Sequence, residues 1–297
     1  MIRALVTGGG GQVGAEVARI LEGRAEVIAH DHASLDLSDC ARLASRIREA
    51  RPHLIVNAAA YTAVDRAEAD EEGARAVNAI APGVIAEEAK RGAALLVHFS
   101  TDYVFDGEKR SPYVETDATN PLNAYGRTKL EGERNVAASG CAHVILRTSW
   151  VYGPRGTNFL LTMLRLAATQ GEVKVVDDQR GSPTSSLQIA RAVLGLLTQG
   201  EAPRPIVPGD IARVSQSSGL YHASAAGETT WFGFAGAIFE SRAGAPRLVA
   251  IPTREYPTPA RRPAYSVLSN ARLGKTFGVR LEDWRAGLAE TLSVLAG

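Results

Sequence analysis

A glycine-rich turn between a strand and a helix is the feature that most restricts how this chain can fold. The segment VTGGGGQVG follows the apolar run IRALVT and opens a helical pattern, with Gly8, Gly11 and Gly14 at the spacing G-x-x-G-x-x-G. Glycine permits the positive φ angles of a tight turn, and its missing side chain lets a pyrophosphate approach the backbone. The helix N-terminus supplies amide donors. The strand–turn–helix context therefore predicts dinucleotide binding rather than a merely flexible turn.

Short apolar runs alternate with helical patterns over the first half of the chain. Strands are predicted at residues 2–7, 25–30, 53–59, 94–100 and 143–148. Between them, apolar residues recur at three- and four-residue spacing, which indicates helices. The longest such pattern is EEGARAVNAIAPGVIAEEAKRG. Continuous apolar strands alternating with helices predict a doubly wound α/β fold, with a parallel Rossmann-type sheet covered on both faces.

The pattern changes after residue 150. Helices are predicted at NFLLTMLRLAATQG, SLQIARAVLGLLTQG and LEDWRAGLAETLSVLAG, and strands at EVKVVDD and GLYHAS. Residues 200–218 are rich in Pro, Gly and Ser, which predicts an exposed loop. We assign residues 1–150 to a nucleotide-binding domain, to which segments about 185–225 return. Residues 151–184 and 226–297 are assigned mainly to a smaller α/β substrate domain.

Acidic and small residues follow the second and third predicted strands. Asp31 lies where a carboxylate can accept hydrogen bonds from the ribose of a dinucleotide, which favours NADH because a 2′-phosphate would be repelled. A solvated loop aspartate is the alternative. Asp36 can reach the adenine or cap the following helix. The alanines at 58–60 would let a cofactor pass close to the backbone, although small residues also pack helices against sheets.

A tyrosine and a lysine lie four residues apart in NPLNAYGRTKLEGE. On a helix, Tyr125 and Lys129 would share one face. An ammonium beside a phenol lowers the phenolic pKa, so the pair could pass a proton to a carbonyl oxygen. Two surface residues without a function would show the same spacing. The fourth strand brings Thr101 and Asp102 to the same edge of the sheet.

Six motifs together resemble those of the dTDP-4-dehydrorhamnose reductase family, a branch of the extended short-chain dehydrogenase/reductases. They are TGGGGQVG, VNAAAYTAVDRAE, FSTDYVFDG, PLNAYGRTKLEGE, RTSWVYG and YPTPARRP. The resemblance runs nearly end to end. It implies a cytoplasmic enzyme that uses NADPH or NADH to reduce the C4 ketone of dTDP-4-dehydro-L-rhamnose to dTDP-L-rhamnose.

The resemblance also implies roles for individual residues. Thr101, Tyr125 and Lys129 match the Ser/Thr–Tyr–Lys catalytic triad, with Tyr125 as the proton donor. The implied cofactor-binding residues are Gly8, Gly11, Gln12, Val13, Gly14, Asp31, Asp36, Leu37, Ala59, Ala60, Tyr61, Phe99, Tyr125 and Lys129. The implied substrate-binding residues are Thr101, Asp102, Val104, Phe105, Trp150 and Arg261. Arg262 is a second candidate for the diphosphate, and a solvated basic turn is the alternative for both arginines.

Charge and composition exclude several other classes. The net charge of +1 gives no basic surplus for nucleic acid, and no apolar run approaches 18 residues, so we expect no membrane span. Cys40 and Cys141 are too few for a disulfide scaffold. A homodimer is allowed by the resemblance alone.

Magnesium is left open by the resemblance. Some family members bind Mg²⁺ through glutamates at a dimer contact, and Glu16 matches one such position. Ser186 stands where a second glutamate would be wanted. We therefore assign no metal ligands.

Two other functions stay open at the level of sequence. Sugar-nucleotide epimerases and dehydratases keep the Tyr–Lys pair, but a dehydratase also wants Asp–Glu after the triad threonine, where this chain has Asp102 and Tyr103. The regulatory subunit of a methionine adenosyltransferase shares the fold and acts as a binding partner. The intact triad favours catalysis.

Overall fold

The computed structural model describes residues 1–199, 204–240 and 244–296. In this part of the chain the strands are β1 (Arg3–Thr7), β2 (Glu26–His30), β3 (Leu54–Asn57), β4 (Leu95–Thr101), β5 (His143–Thr148), β6 (Val151–Tyr152), β7 (Glu172–Val176), β8 (Arg180–Gly181), β9 (Thr184–Ser185), β10 (Gly219–His222), β11 (Thr229–Thr230) and β12 (Arg247–Ile251). The α-helices are α1 (Gln12–Leu21), α2 (Cys40–Ala50), α3 (Val64–Ala67), α4 (Glu71–Arg75), α5 (Ala81–Arg91), α6 (Ala124–Ser139), α7 (Phe159–Ala167), α8 (Ser186–Thr198), α9 (Pro208–Ser215), α10 (Trp231–Glu240), α11 (Ala271–Phe277) and α12 (Trp284–Ala296).

Six parallel strands form the central sheet in the order β10–β5–β4–β3–β1–β2. β3 and β4 are buried along their whole length, as expected for strands covered by helices on both faces. The chain places β2 on one side of β1 and β3 on the other, which creates a switch point where ligands bind at the carboxyl ends of the strands. The predicted doubly wound α/β fold is therefore confirmed.

Apolar cores lie on both faces of this sheet, because successive strand residues point to opposite sides. Val56 and Val97 pack on one face, where α1 and α8 lie together. Ile55 and Leu96 pack on the other face, in a cluster with residues of α2 and α5. The sheet is consequently held rigidly, and its carboxyl edge can present side chains in fixed positions.

The prediction of an exposed loop over residues 200–218 is wrong over residues 208–215, whereas residues 204–207 have no regular structure. Residues 208–215 form α9, whose Ile211 and Val214 are buried in the core shared with α8. Pro208 opens this helix, where its missing N–H costs no hydrogen bond. The Pro and Gly residues thus mark a helix start, while residues 200–203 lie outside the described ranges.

A smaller apolar cluster packs beside the sheet domain. β7 pairs with β12 in parallel, and side chains of α7, α10 and α12 surround this pair. Neither β12 nor α11 was predicted from the sequence. Within the described ranges, no helix is both long and apolar enough to cross a membrane.

The long helical pattern after β3 is interrupted by one turn of π-helix at residues 76–80, between α4 and α5. Such turns occur often at functional sites. Here Asn78 uses its side chain to hold the backbone of Tyr61, accepting from its N–H at 2.9 Å and donating to its carbonyl at 3.1 Å. Asn78 also donates to the Thr128 hydroxyl on α6 at 3.2 Å. The π turn therefore fixes Tyr61 and ties it to the helix that carries Tyr125.

Candidate active site

One large cleft opens at the carboxyl edge of the central sheet. Its volume is about 1200 Å³, which exceeds the space that one drug-sized ligand needs. Most of the residues predicted to bind cofactor or substrate line it: Gly8, Gly11, Gln12, Val13, Asp31, Asp36, Leu37, Ala59, Ala60, Tyr61, Phe99, Thr101, Asp102, Tyr125, Lys129 and Trp150. Residues from five strand ends and from α6 therefore meet at one place.

The glycine turn forms a tight cradle on one side of the cleft. Gly8 has a φ of +71°, and a Cβ there would lie 2.7 Å from the backbone nitrogen of Ala59. Gly14 does not line the cleft, but a Cβ on it would lie 2.2 Å from the Gly8 carbonyl oxygen. No side chain caps α1 at Gly11. The first amides of α1 are thus left for a ligand, and the cradle fits a pyrophosphate.

Two aspartates that follow β2 line the same cleft as this cradle. Asp31 accepts from the Ser34 N–H at 2.8 Å, and hydrogen bonds from Ser34 lower its pKa. Asp36 accepts from the Ser38 N–H at 2.9 Å and lies at the cleft, whereas Asp39 caps α2. The alternative in which Asp36 caps that helix is therefore wrong. We call the Gly8–Gly14 turn, Asp31 and Ala59 the cofactor wall.

The start of α6 brings Tyr125 to the Thr101 side chain at the end of β4. Asn123 caps the helix by accepting from the Gly126 N–H at 2.8 Å. A Cβ on Gly126 would lie 2.2 Å from the Tyr103 carbonyl oxygen, so only glycine lets α6 approach the short 3₁₀ turn at 102–104 this closely. That contact sets Tyr125 beside the Thr101 hydroxyl, which lowers the phenolic pKa by hydrogen bonding.

The pKa values of the triad are governed by burial. Burial raises the pKa of Tyr125 to about 12, against the opposing hydrogen bond from Thr101. Burial lowers the pKa of Lys129 to about 8, and Glu133 opposes that shift. The expectation that Lys129 lowers the phenolic pKa is wrong in this structure, because the ammonium instead donates to the Phe99 carbonyl at 2.6 Å. Tyr125 stays protonated at neutral pH.

Two stacked tryptophans also line the cleft. Trp150 and Trp231 have ring centroids 3.6 Å apart and nearly parallel planes. Gly181 lies under Trp150, since a Cβ there would be 2.4 Å from the indole. The Trp231 ring N–H donates to the Gln179 amide oxygen at 3.2 Å. The sequence prediction missed Trp231, although the aromatic pair in TTWFGFAG was visible.

Of the two neighbouring arginines, Arg262 lines the cleft and Arg261 does not. The Arg262 guanidinium donates to both carboxylate oxygens of Asp65, at 2.8 and 3.2 Å. Arg261 is exposed, and its backbone carbonyl accepts from the Asn123 side chain at 2.8 Å. Of the two arginines predicted as candidates for the diphosphate, Arg262 is therefore the one that lines the cleft. We call Thr101, Trp150, Trp231 and Arg262 the sugar wall.

Val104 and Phe105 do not reach the cleft, contrary to their predicted substrate contacts. Both are fully buried, in a cluster with Tyr113 and Leu268. Phe105 stacks on the Tyr113 ring with centroids 4.0 Å apart. The 3₁₀ turn after Thr101 directs these apolar side chains inward, while Tyr103 in the same turn lines the cleft.

The residues at the expected magnesium position do not fit a metal. Glu16 is 1% exposed, and its carboxylate pairs with Arg19 at 2.9 Å and with Arg155 at 3.1 Å. Two guanidinium groups thus occupy the oxygens that a cation would need. In residues 1–199, 204–240 and 244–296, no group of three His, Cys, Asp or Glu side chains could hold a metal ion.

Comparisons with known proteins agree with this geometry. The family model described as "RmlD substrate binding domain" matches residues 2–296. The dTDP-4-dehydrorhamnose reductases of Burkholderia thailandensis and Escherichia coli K12 are 48% and 42% identical, and each alignment covers at least 96% of both chains. The chain belongs to the dTDP-4-dehydrorhamnose reductase family. It is therefore an enzyme of the oxidoreductase class, and the regulatory-subunit alternative is not favoured.

Solved structures of family members share the whole architecture. A dTDP-4-dehydrorhamnose reductase from Clostridium acetobutylicum superposes with a TM-score of 0.91 at 38% identity, covering 100% of both chains. The Bacillus anthracis enzyme, solved in complex with NADP, gives a TM-score of 0.89 at 32% identity over 99% of both chains. The family relationship supports a nicotinamide cofactor, which matches the cradle formed by the glycine turn.

Proposed function

We propose that this enzyme reduces the C4 ketone of dTDP-4-dehydro-L-rhamnose to dTDP-L-rhamnose, with Tyr125 as the proton donor. The observation that carries the proposal is that Tyr125 and Lys129 line one cleft together with the residues of the cofactor wall and of the sugar wall, Thr101 among the latter. A phenol between a dinucleotide cradle and a sugar site is what carbonyl reduction requires.

The cofactor wall would hold the dinucleotide mainly through its backbone. The amides after Gly11 would bind the pyrophosphate, and Asp31 would accept hydrogen bonds from the adenosine ribose. When bound, a reduced nicotinamide supplies the hydride for the sugar ketone. The Bacillus anthracis relative binds NADP, whereas the ionised Asp31 disfavours a 2′-phosphate. We therefore propose that both NADPH and NADH serve, with Asp31 shifting the preference toward NADH.

Tyr125 provides the proton as negative charge grows on the carbonyl oxygen. A sugar alkoxide is a far stronger base than a phenolate, so transfer is favourable even from a phenol with a pKa of about 12. The raised pKa keeps this donor loaded across the physiological pH range. Thr101 would orient the same oxygen by a hydrogen bond, and the Lys129 ammonium would hold the nicotinamide ribose.

The sugar wall would bind the nucleotide sugar through side chains. Trp150 and Trp231 offer flat apolar faces suited to a sugar ring or a pyrimidine. Arg262 offers a guanidinium fork suited to the diphosphate, already oriented by Asp65. None of the four residues of the sugar wall distinguishes one deoxysugar from another by its chemistry. The test must therefore include related nucleotide sugars.

The test is oxidation of NADPH and NADH with a panel of dTDP- and GDP-linked 4-keto-6-deoxysugars. We expect turnover with dTDP-4-dehydro-L-rhamnose and formation of dTDP-L-rhamnose, identified by chromatography against a standard. Preferred turnover of another panel member would replace the proposed substrate. No cofactor oxidation with any ketosugar would remove the proposal.

A further inference from the structure

The carboxyl group of Asp102 is buried beside the triad and has no cation to balance it. Asp102 is 2% exposed and lines the cleft at the end of β4. Neither neighbouring cation pairs with it, because Arg262 is bound to Asp65 and Lys129 donates to the Phe99 carbonyl. Buried carboxylates normally have an ionic or metal partner. This one must therefore be satisfied in another way.

The side chains that hydrogen-bond the Asp102 carboxyl are hydroxyls, those of Thr101 and Ser266. Asp102 Oδ1 lies 3.0 Å from the Thr101 hydroxyl oxygen. Asp102 Oδ2 has no partner of good geometry among the described residues, although the Ser266 hydroxyl faces the same carboxyl. The Thr101 oxygen also accepts from the Tyr103 N–H at 3.1 Å and faces Tyr125.

A hydroxyl has one proton and two lone pairs, which limits what Thr101 can do. One lone pair is taken by the Tyr103 N–H. If Asp102 is ionised, the carboxylate accepts the Thr101 proton, and the free lone pair then draws the proton of Tyr125. If Asp102 is protonated, it donates to that lone pair instead. The Thr101 proton is then free for the ketone oxygen, and Tyr125 need not donate to Thr101.

We propose that Asp102 is a positioning residue whose protonation sets the direction of the Thr101–Tyr125 hydrogen bonds, so that only the neutral acid aims both hydroxyl protons at the substrate. The proposal rests on the proposed function. It assigns to Asp102 a role beyond contact with the sugar, and it requires no group outside the chain.

The surroundings of Asp102 keep the neutral form accessible at physiological pH. Burial raises its pKa to about 7, while hydrogen bonds from Ser266 and Thr101 oppose the shift. Tyr103 and Tyr125, which face it from the same turn and from α6, are neutral phenols near pH 7 because both have raised pKa values. The Arg262–Asp65 pair beyond Tyr103 carries no net charge.

The sign of the pH dependence follows from these contacts. Below pH 7 Asp102 is protonated and the donors point at the ketone; above pH 7 it is ionised and captures the Thr101 proton. The rate of reduction should therefore fall by about tenfold between pH 6 and pH 8, as for one group that titrates near 7. Titration of Lys129, whose pKa is about 8, would add about twofold at pH 8.

The experiment compares pH profiles of kcat/KM for four proteins. Wild type should show the full fall between pH 6 and pH 8. Asp102→Asn is neutral at every pH and can still donate to the Thr101 oxygen, so its kcat/KM, whatever the value at pH 6, should fall by only about twofold between pH 6 and pH 8. Thr101→Val should be slower at every pH and should also lose the steep fall. Glu108→Gln, an exposed carboxylate near the same turn, should keep the wild-type profile.

A second measurement reads Asp102 directly in the resting enzyme. In protein labelled with ¹³C at the aspartate carboxyl groups, the Asp102 resonance is the one that is absent from the spectrum of Asp102→Asn. It should titrate near pH 7, and a titration midpoint below pH 5 would overturn the inference. The inference would also be overturned if wild type is active and the pH profile of kcat/KM in Asp102→Asn or Thr101→Val is the same as in wild type. Inactivity of wild type toward every ketosugar would instead defeat the proposed function. The carboxyl titration would still decide the state of Asp102.

Discussion

The two walls of the cleft differ in what they offer a ligand and in how far apart their residues lie in sequence. The cofactor wall comes from the first three strand ends and presents mainly backbone, with Gly8 and Gly14 packed so tightly that a Cβ would clash. The sugar wall presents side chains, and Trp150 and Trp231 reach it from elements far apart in the chain. Adding side-chain atoms should therefore weaken ligand binding at the cofactor wall, whereas removing side-chain atoms should weaken binding at the sugar wall.

The largest effect is expected at Tyr125, which lines the cleft and is the proposed proton donor. Tyr125→Phe removes the proton donor and leaves the ring, so kcat should fall by about 10³-fold. Cofactor affinity, measured by fluorescence titration, should change by less than about threefold. A variant that keeps a wild-type kcat would rule out Tyr125 as the general acid.

The second-largest effect is expected from the addition of one carbon atom to the cofactor wall. The Cβ in Gly14→Ala would lie 2.2 Å from the Gly8 carbonyl oxygen, so the turn must open and the dissociation constant for NADPH should rise about 100-fold. Gly171→Ala is the control, because a Cβ there meets nothing within 4 Å. Isothermal titration calorimetry provides both values, and equal affinities in the two variants would show that the turn does not bind the dinucleotide.

Truncation of the sugar wall separates the two adjacent arginines. Arg262→Ala should raise KM for the nucleotide sugar about 30-fold, since a charge-assisted hydrogen bond to phosphate contributes roughly 2 kcal/mol. Its KM for NADPH should stay within about twofold. Arg261→Ala is the matched control and should resemble wild type, because Arg261 is exposed and does not line the cleft. If steady-state kinetics show that Arg261→Ala raises KM for the nucleotide sugar more than Arg262→Ala does, Arg261 makes the phosphate contact instead.

The smallest effect is expected from a change of charge on the cofactor wall. Asp31→Asn keeps an oxygen that can accept from the Ser34 N–H and removes the charge that would repel a 2′-phosphate. The ratio of kcat/KM for NADPH to that for NADH should rise about tenfold, a change of about 1.4 kcal/mol. Asp39→Asn, at the cap of α2, should leave the ratio unchanged. An unaltered ratio in Asp31→Asn would mean that Asp31 does not discriminate the cofactors.

The same contrast explains which parts of the molecule could be predicted from sequence. The parallel sheet and the glycine turn depend on contiguous patterns, so alternating apolar runs and glycine spacing were sufficient. The sugar wall depends on contacts between distant segments. Stacking of Trp231 on Trp150 requires α10 to pack over the cleft, and no local pattern encodes that contact.

The sequence prediction was wrong at two places where packing between distant segments, rather than local residue type, decides the structure. Pro208 and Gly209 suggested a loop, yet burial of Ile211 made the segment a helix. Tyr125 and Lys129 do share a face of α6, but the Phe99 carbonyl draws the ammonium away from the phenol. Spacing gives the position of a side chain, whereas its electrostatic effect depends on the partner it finds after folding.

The central claim is that Tyr125 protonates a ketone that is reduced by hydride at C4 of the sugar. The most direct measurement uses NADPH deuterated at the transferring position with dTDP-4-dehydro-L-rhamnose, followed by NMR and mass spectrometry of the product. The account predicts dTDP-L-rhamnose carrying one deuterium at C4, formed about 10³-fold more slowly by Tyr125→Phe. Product without deuterium at C4, or equal rates in wild type and Tyr125→Phe, would contradict this claim.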